Sequence, residues 1–193
     1  MDLRAEFATL SASGPFSVIL ADPPWLFTSN SDAKPGRNAR GHYPCMPLRD
    51  IAQMPVPSIA ARDALLLLWV TVPFAMQAQD IISGWGFRYV SQVVWIKDRI
   101  GLGHWARNRH ELLLIAKSGQ FACPAPALFP DSVICGQQRE HSRKPDAVHA
   151  VVDARLGHLR RVELFARQQR PGWASWGNEP DRFPLAVTAR GQA

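Results

Sequence analysis

The stretch that constrains this chain most is Val18-Ile19-Leu20-Ala21-Asp22-Pro23-Pro24-Trp25. Its apolar half reads as a buried strand, and the two prolines, which have no N–H to give to a ladder, end it. Asp22 therefore stands at the carboxyl end of a strand. A second run, Ala64-Leu65-Leu66-Leu67-Leu68-Trp69-Val70, is apolar at every position, as expected of a central strand covered on both faces. In an open α/β sheet, ligands bind outside the carboxyl ends of the strands, so the edge that carries Asp22 is a candidate site.

The carboxylate, the rigid prolines and the large aromatic gathered there suit methylation of an exocyclic amino group. Such a nitrogen is a poor nucleophile because its lone pair is delocalised into the ring. With the Asp22 carboxylate accepting one N–H and the Pro23 carbonyl the other, the nitrogen is held pyramidal with its lone pair free to attack. The Pro-Pro pair fixes that carbonyl because both φ angles are locked, and Trp25 offers a face on which a flipped-out base stacks.

Composition narrows the alternatives. A length of 193 residues suits one domain with a real core, and a formal net charge of +6, carried mainly by arginine, suits a polyanionic partner. Cys45, Cys123 and Cys135 are far apart, without a C-x-x-C or paired histidines, which argues against a zinc site and a disulfide framework and for a reducing compartment. No apolar run is long enough to span a bilayer, and the amino terminus does not read as a leader, so a cytoplasmic protein with no membrane partner and no metal is expected.

In chain order, Met1 to Gly14 reads as a weakly structured lead-in, and Leu26 to Pro47 as a long polar loop leaving the candidate site. A short helix is predicted over Met46 to Met54. A longer helix begins at Thr71-Val72-Pro73, with Phe74, Ala78, Ile81, Ile82 and Trp85 as its core stripe. Strands follow over Phe87 to Ile96 and Glu111 to Lys117. Between them lies a basic loop holding Arg99, His104, Trp105, Arg107 and Arg109; clustered arginine with an interleaved aromatic suits nucleic-acid contact. Ser132 to Cys135 reads as a short edge strand. Lys144-Pro145-Asp146 opens an amphipathic helix, Pro145 in its first turn and Asp146 complementing its dipole, so that Lys144 beside free backbone N–H groups forms a pocket for a carboxylate. The last strand is read as Arg161 to Arg167, and Phe183 to Ala193 as a loose tail.

These residues resemble the MT-A family of adenine-N6 methyltransferases. Asp22-Pro23-Pro24-Trp25 matches its motif IV, with Asp rather than Ser at the first position pointing to adenine. Ser142-Arg143-Lys144-Pro145-Asp146 matches its lysine segment, with Arg143 where His is frequent. Glu163-Leu164-Phe165-Ala166-Arg167 matches its cofactor strand, and Trp173-Ala174-Ser175-Trp176-Gly177-Asn178-Glu179 its final motif. The matches run in family order from about Phe16 to Glu179 of a single catalytic domain spanning 1–193.

The resemblance implies a Rossmann-like, S-adenosylmethionine-dependent methyltransferase fold in the circularly permuted β-type order. That means seven mostly parallel strands with helices on both faces and one antiparallel strand at an edge. It implies that Asp22, Pro23, Pro24 and Trp25 are catalytic. Asp2, Leu3, Asp22, Lys144, Glu163, Arg167, Gln169, Asn178 and Glu179 would bind S-adenosylmethionine, left as S-adenosylhomocysteine. Tyr43 falls where the family places an aromatic beside the target base; Arg37, Arg40, His104, Trp105 and Arg107 complete the substrate set. A compact chain of this kind resembles bacterial and phage members, which implies a DNA substrate ahead of RNA, with room for a homodimer. An idle nucleic-acid-binding subunit of the family is the alternative outside catalysis; the intact Asp22, Lys144 and Asn178 argue against it.

Overall fold

The computed structural model describes residues 3–26, 45–101, 103, 105–140 and 143–183. In chain order these form α1 (Leu3–Ala12), β1 (Phe16–Ala21), α2 (Leu48–Ala52), β2 (Ala60–Thr71), α3 (Ala78–Gly84), β3 (Arg88–Lys97), β4 (His110–Lys117), β5 (Val133–Gly136), α4 (Ala147–Leu156), β6 (Arg161–Leu164) and β7 (Trp173–Trp176). Short 3-10 turns at Val56–Ser58 and Val72–Phe74 precede β2 and α3.

One seven-stranded sheet results, in the order β5-β3-β4-β2-β1-β6-β7. Every residue from Ala64 to Val70 is buried, because alternate side chains of β2 enter two separate core layers. Ala64, Leu66, Leu68 and Val70 pack with Phe7 of α1, Ile51 of α2 and Ile81 and Ile82 of α3. Leu65, Leu67 and Trp69 pack on the opposite face with Val148, Val152 and Leu156 of α4. Helices on both faces and a largely parallel sheet are the expected α/β architecture.

Three expectations are corrected. The antiparallel strand is β4, and it lies inside the sheet, bonded to both β2 and β3, rather than at an edge. Its position follows from connectivity: β3 and β4 are limbs of one hairpin, so β4 returns directly beside its predecessor. Second, Arg161 to Arg167 is not one terminal strand. It stops at Leu164 because Phe165 takes a left-handed φ of 62°, which turns the chain out of the sheet, and β7 then pairs parallel to β6. Third, the lead-in is helical: α1 buries Phe7 edge-on against Trp176 at 5.2 Å, and Glu6 accepts the Trp176 indole N–H at 2.7 Å. That helix is held by the far end of the chain, which local sequence does not report.

Candidate active site

The carboxyl ends of the parallel strands and the amino end of β4 meet at one edge. Asp22 leaves β1 there, its N–H extending the ladder to the Leu164 carbonyl at 3.4 Å, while Glu111 enters on β4 opposite Thr71 on one side and Trp95 on the other. The prolines then lift the chain away from the sheet. Both of their carbonyls are fixed by backbone bonds: Pro23 accepts the Trp25 N–H at 3.0 Å and Pro24 the Met46 N–H at 2.8 Å. A carbonyl has two lone pairs, so each retains one acceptor site.

Five charged side chains alternate across this edge. Lys97 pairs with Glu111 at 2.5 Å, Glu111 with Lys144 at 3.2 Å, Lys144 with Asp22 at 2.8 Å, and Asp22 with Arg167 at 3.7 Å. Lys144 also lies over the Trp69 ring at 5.8 Å. Burial pushes the Asp22 carboxyl above the usual carboxylate range, more than Lys144 and Arg167 offset. Burial pushes Glu111 the same way, but Lys144 and Lys97 outweigh it and hold Glu111 below that range. For Lys144, burial disfavours the charge, yet Asp22 and Glu111 prevail and raise its pKa. Three cations against two anions leave one net positive charge.

Trp25 is not an open stacking face. Its side chain is 4% exposed and stacks on Phe74 with centroids 5.2 Å apart, as part of the core layer on the side of α1, α2 and α3. The turn set by Pro23 and Pro24 rotates the ring inward, which corrects the base-stacking role. Trp25→Ala should therefore lower unfolding stability by about 3–5 kcal/mol, measured by urea denaturation, instead of selectively weakening base binding.

The remaining sequence-derived residues are spread around the edge. Lys144 is set by the segment before α4, where the Arg139 guanidinium bonds the Lys144 carbonyl. The helix begins at Ala147, so Pro145 precedes it rather than joining its first turn, and Asp146 makes no side-chain cap. The Asp146 carboxylate instead takes Arg139 at 2.6 Å and Arg170; burial opposes its charge, but these guanidinium groups lower its pKa to about 2. Glu163 faces α4, one residue before the end of β6, with its carboxylate on His149 Nε2 at 2.8 Å. Gln169 bonds Asp181 at 2.7 Å, Glu179 pairs with Arg182, and Asn178 is exposed. Gly177 is required at its position: a Cβ there would lie 2.7 Å from the Ala166 carbonyl oxygen. Its motif thus lies tightly against the turn after β6. Leu3 opens α1, whose Glu6 is tied to β7. Trp105 is fully exposed, and Arg107 Nε donates to the Gly101 carbonyl at 2.7 Å. Asp2, Arg37, Arg40, Tyr43 and His104 lie outside the described residues.

Glu111 and Lys97 were not among the sequence-derived site residues. The signal available was a charged residue bounding an apolar run on each limb of the hairpin, Lys97 after Val93 to Ile96 and Glu111 before Leu112 to Ala116.

The MT-A70 family matches residues 16–179. A type II methyltransferase of a Mycoplasma species, M.MunI, is 30% identical over 195 residues, covering 92% of this chain and 83% of that protein. An N(6)-adenosine-methyltransferase MT-A70-like protein of Arabidopsis thaliana is 31% identical over 177 residues, covering 86% of this chain and 24% of that protein. The human N(6)-adenosine-methyltransferase catalytic subunit METTL3 is 27% identical over 194 residues, covering 95% of this chain and 31% of that protein. The chain thus spans most of the bacterial relative and less than a third of these two eukaryotic ones.

Proposed function

The chain belongs to the MT-A70 family, and from that premise we propose that this adenine-N6 methyltransferase acts on DNA, with S-adenosylmethionine as its methyl donor. The observation that carries the reading is the contact of Asp22 with Lys144 at 2.8 Å: the carboxylate of one family motif meets the lysine of another across 122 positions of chain, at a sheet edge where ligands bind.

Asp22 accepts one hydrogen of the adenine amino group, and the remaining lone pair of the Pro23 carbonyl accepts the other. Both acceptors are fixed before the base arrives, the carbonyl by its bond from Trp25 and the carboxylate by Lys144 and Arg167. When bound, the donor would supply an electrophilic methyl group on a sulfonium, and the electrons of the broken S–C bond would stay on sulfur. The amino nitrogen loses one proton as it gains the methyl group, and Asp22 Oδ, whose proton affinity burial raises, is the acceptor this reading assigns to it.

The donor set fits such a ligand. The single excess positive charge of the Lys97, Glu111, Lys144, Asp22 and Arg167 row suits an amino-acid carboxylate at Lys144, and Asp22 suits its ammonium. Arg167, Gln169, Asn178 and Glu179 offer hydrogen bonds for the ribose and adenine.

For the polyanion, a cleft of about 390 Å³ beside the hairpin loop is lined by Arg99, Arg107 and Arg139, with Ile100 and Trp105 exposed nearby. The Arg99→Ala, Arg107→Ala pair should weaken DNA binding whatever its sequence and reduce the salt slope of log K by about 1–2, read by fluorescence anisotropy across a salt series.

DNA is favoured by the extent of the likeness to the Mycoplasma methyltransferase, of which the chain covers 83%. Radiolabelled methyl transfer to duplex DNA, single-stranded DNA and RNA, followed by nucleoside analysis, tests the reading. N6-methyladenine from DNA is expected. Transfer confined to RNA would move the substrate, and N4-methylcytosine or no transfer would overturn the assignment.

A further inference from the structure

Lys97 and Glu111 take no direct part in the transfer, yet they are placed where charge is costly. Glu111 is the second residue of β4, its side chain 5% exposed, and Lys97 closes β3 with 14% exposure. Their neighbours along the two strands, Trp95, Leu113 and Leu114, are buried core residues. Burying such a pair is seldom better for stability than apolar packing. What the pair touches is more informative: Glu111 Oε1 takes the Lys97 ammonium, and Oε2 faces Lys144 at 3.2 Å, whose own ammonium sits on Asp22.

We infer that Lys97 and Glu111 are a positioning pair: Glu111 fixes the Lys144 ammonium beside Asp22, and Lys97 fixes Glu111. The inference rests on the reading of Asp22 as the residue that grips the amino group. Signs alternate along the row from Lys97 through Glu111, Lys144 and Asp22 to Arg167, so a change at one place acts with opposite sign at the next. Among the described residues, the charged groups facing Asp22 are Lys144 from the segment before α4, Arg167 from the turn after β6 and Glu111 from β4; Lys97 of β3 reaches it through Glu111. Without the Glu111 charge, Asp22 loses a repulsive neighbour and no longer shares the Lys144 ammonium with Glu111, which favours its ionised form. Without the Lys97 charge, Glu111 leans on Lys144, weakens its hold on Asp22 and disfavours that form.

The same hairpin limbs carry the exposed basic loop, whose base is closed by the Lys97 N–H on the Arg109 carbonyl and the Arg109 Nε on the Lys97 carbonyl, each at 2.9 Å. Lys97 therefore belongs both to the support of Asp22 and to the root of the loop proposed to meet the polyanion.

The test is a carbon-13 NMR titration of the full chain labelled at the aspartate carboxyl carbon, with the Asp22 signal identified by its loss in Asp22→Asn. Glu111→Gln should move the Asp22 midpoint down and Lys97→Met should move it up, each by about half a pH unit or more, and Lys97→Arg should restore the parent value. The acid limb of the methyl-transfer profile should follow in the same directions, with kcat reduced more than the donor KM is raised. An unmoved midpoint in both variants, or movement in one common direction, would overturn the inference even if the parent enzyme methylates adenine. An inactive parent whose Asp22 midpoint still moves in opposite directions would overturn the functional reading and leave the pair standing.

Discussion

Replacing Asp22 with Asn should lower methyl transfer by roughly 10³-fold while leaving the thermal midpoint at or above that of the parent protein. The two halves of this expectation have one cause. Asp22 is 18% exposed at the end of β1, and burial makes its ionised form more costly than in water even with Lys144 at 2.8 Å and Arg167 at 3.7 Å. An amide of the same shape removes that cost, but it replaces one of the two acceptor oxygens with a donor and can no longer draw the amino hydrogens out of the ring plane. Because the carboxylate must be ionised to accept, activity should fall with acid at a pH above the ordinary aspartate range. A raised carboxyl pKa also means that the charge of Asp22 costs stability as pH rises through the gap between its unfolded and folded values, so the Asn variant should gain most above that gap. Single-turnover transfer across a pH series, with calorimetric scans of both proteins, checks both halves. Loss of folding together with activity would reduce Asp22 to a structural residue.

What was legible beforehand divides along the range of the forces concerned. The strand before Asp22 and the run from Ala64 to Val70 could be read because periodicity and β-branching are local, and because a strand covered on both faces has no polar position to confuse it. Asp22, Lys144 and Arg167 were each recognised by motif, though not their distances. The inside position of β4 escaped because register and strand order are set by the hairpin connection, which hydrophobicity does not encode. Trp25 was misread for a related reason: an aromatic after two prolines looks available, and only Phe74, 49 positions later, shows that the ring is spoken for. Glu111 was passed over as the first residue of an apolar strand, its meaning supplied by Lys97 and Lys144 from other elements. Phe165 illustrates the limit on local geometry: a non-glycine at φ 62° is followed by a peptide whose Ala166 N–H donates to the Trp176 carbonyl at 2.9 Å, a contact between two motifs.

Lys144→Met should cost as much stability as truncating a core aromatic, because it leaves two carboxylates facing each other across the space its ammonium held. Lys144 is 10% exposed and stands between Asp22 and Glu111, so its removal should cost about 3–5 kcal/mol near neutral pH, the penalty for stranding a buried charge. The pH dependence separates this from simple loss of packing. In the parent, the raised pKa of Lys144 means that its contribution is complete below the ordinary lysine range and fades only as pH rises through the folded value. Glu111 has a lowered pKa in the parent, so its contribution is present above the ordinary carboxylate range and lost as pH falls through the folded value. In the variant, both carboxylates should bind protons more tightly than in the parent, Glu111 with Lys97 alone to hold it. Acid should then relieve the variant at both carboxylates and the parent at Asp22 alone, so the gap between them should narrow as pH falls. Urea denaturation from pH 8 to pH 5 measures that gap, and titration calorimetry with S-adenosylhomocysteine should show affinity weakened by about tenfold or more, since one well-placed charged contact is worth at least 1.4 kcal/mol. A gap that stays constant with pH would mean that Lys144 acts by filling space, and the charge row at the sheet edge would lose its central member.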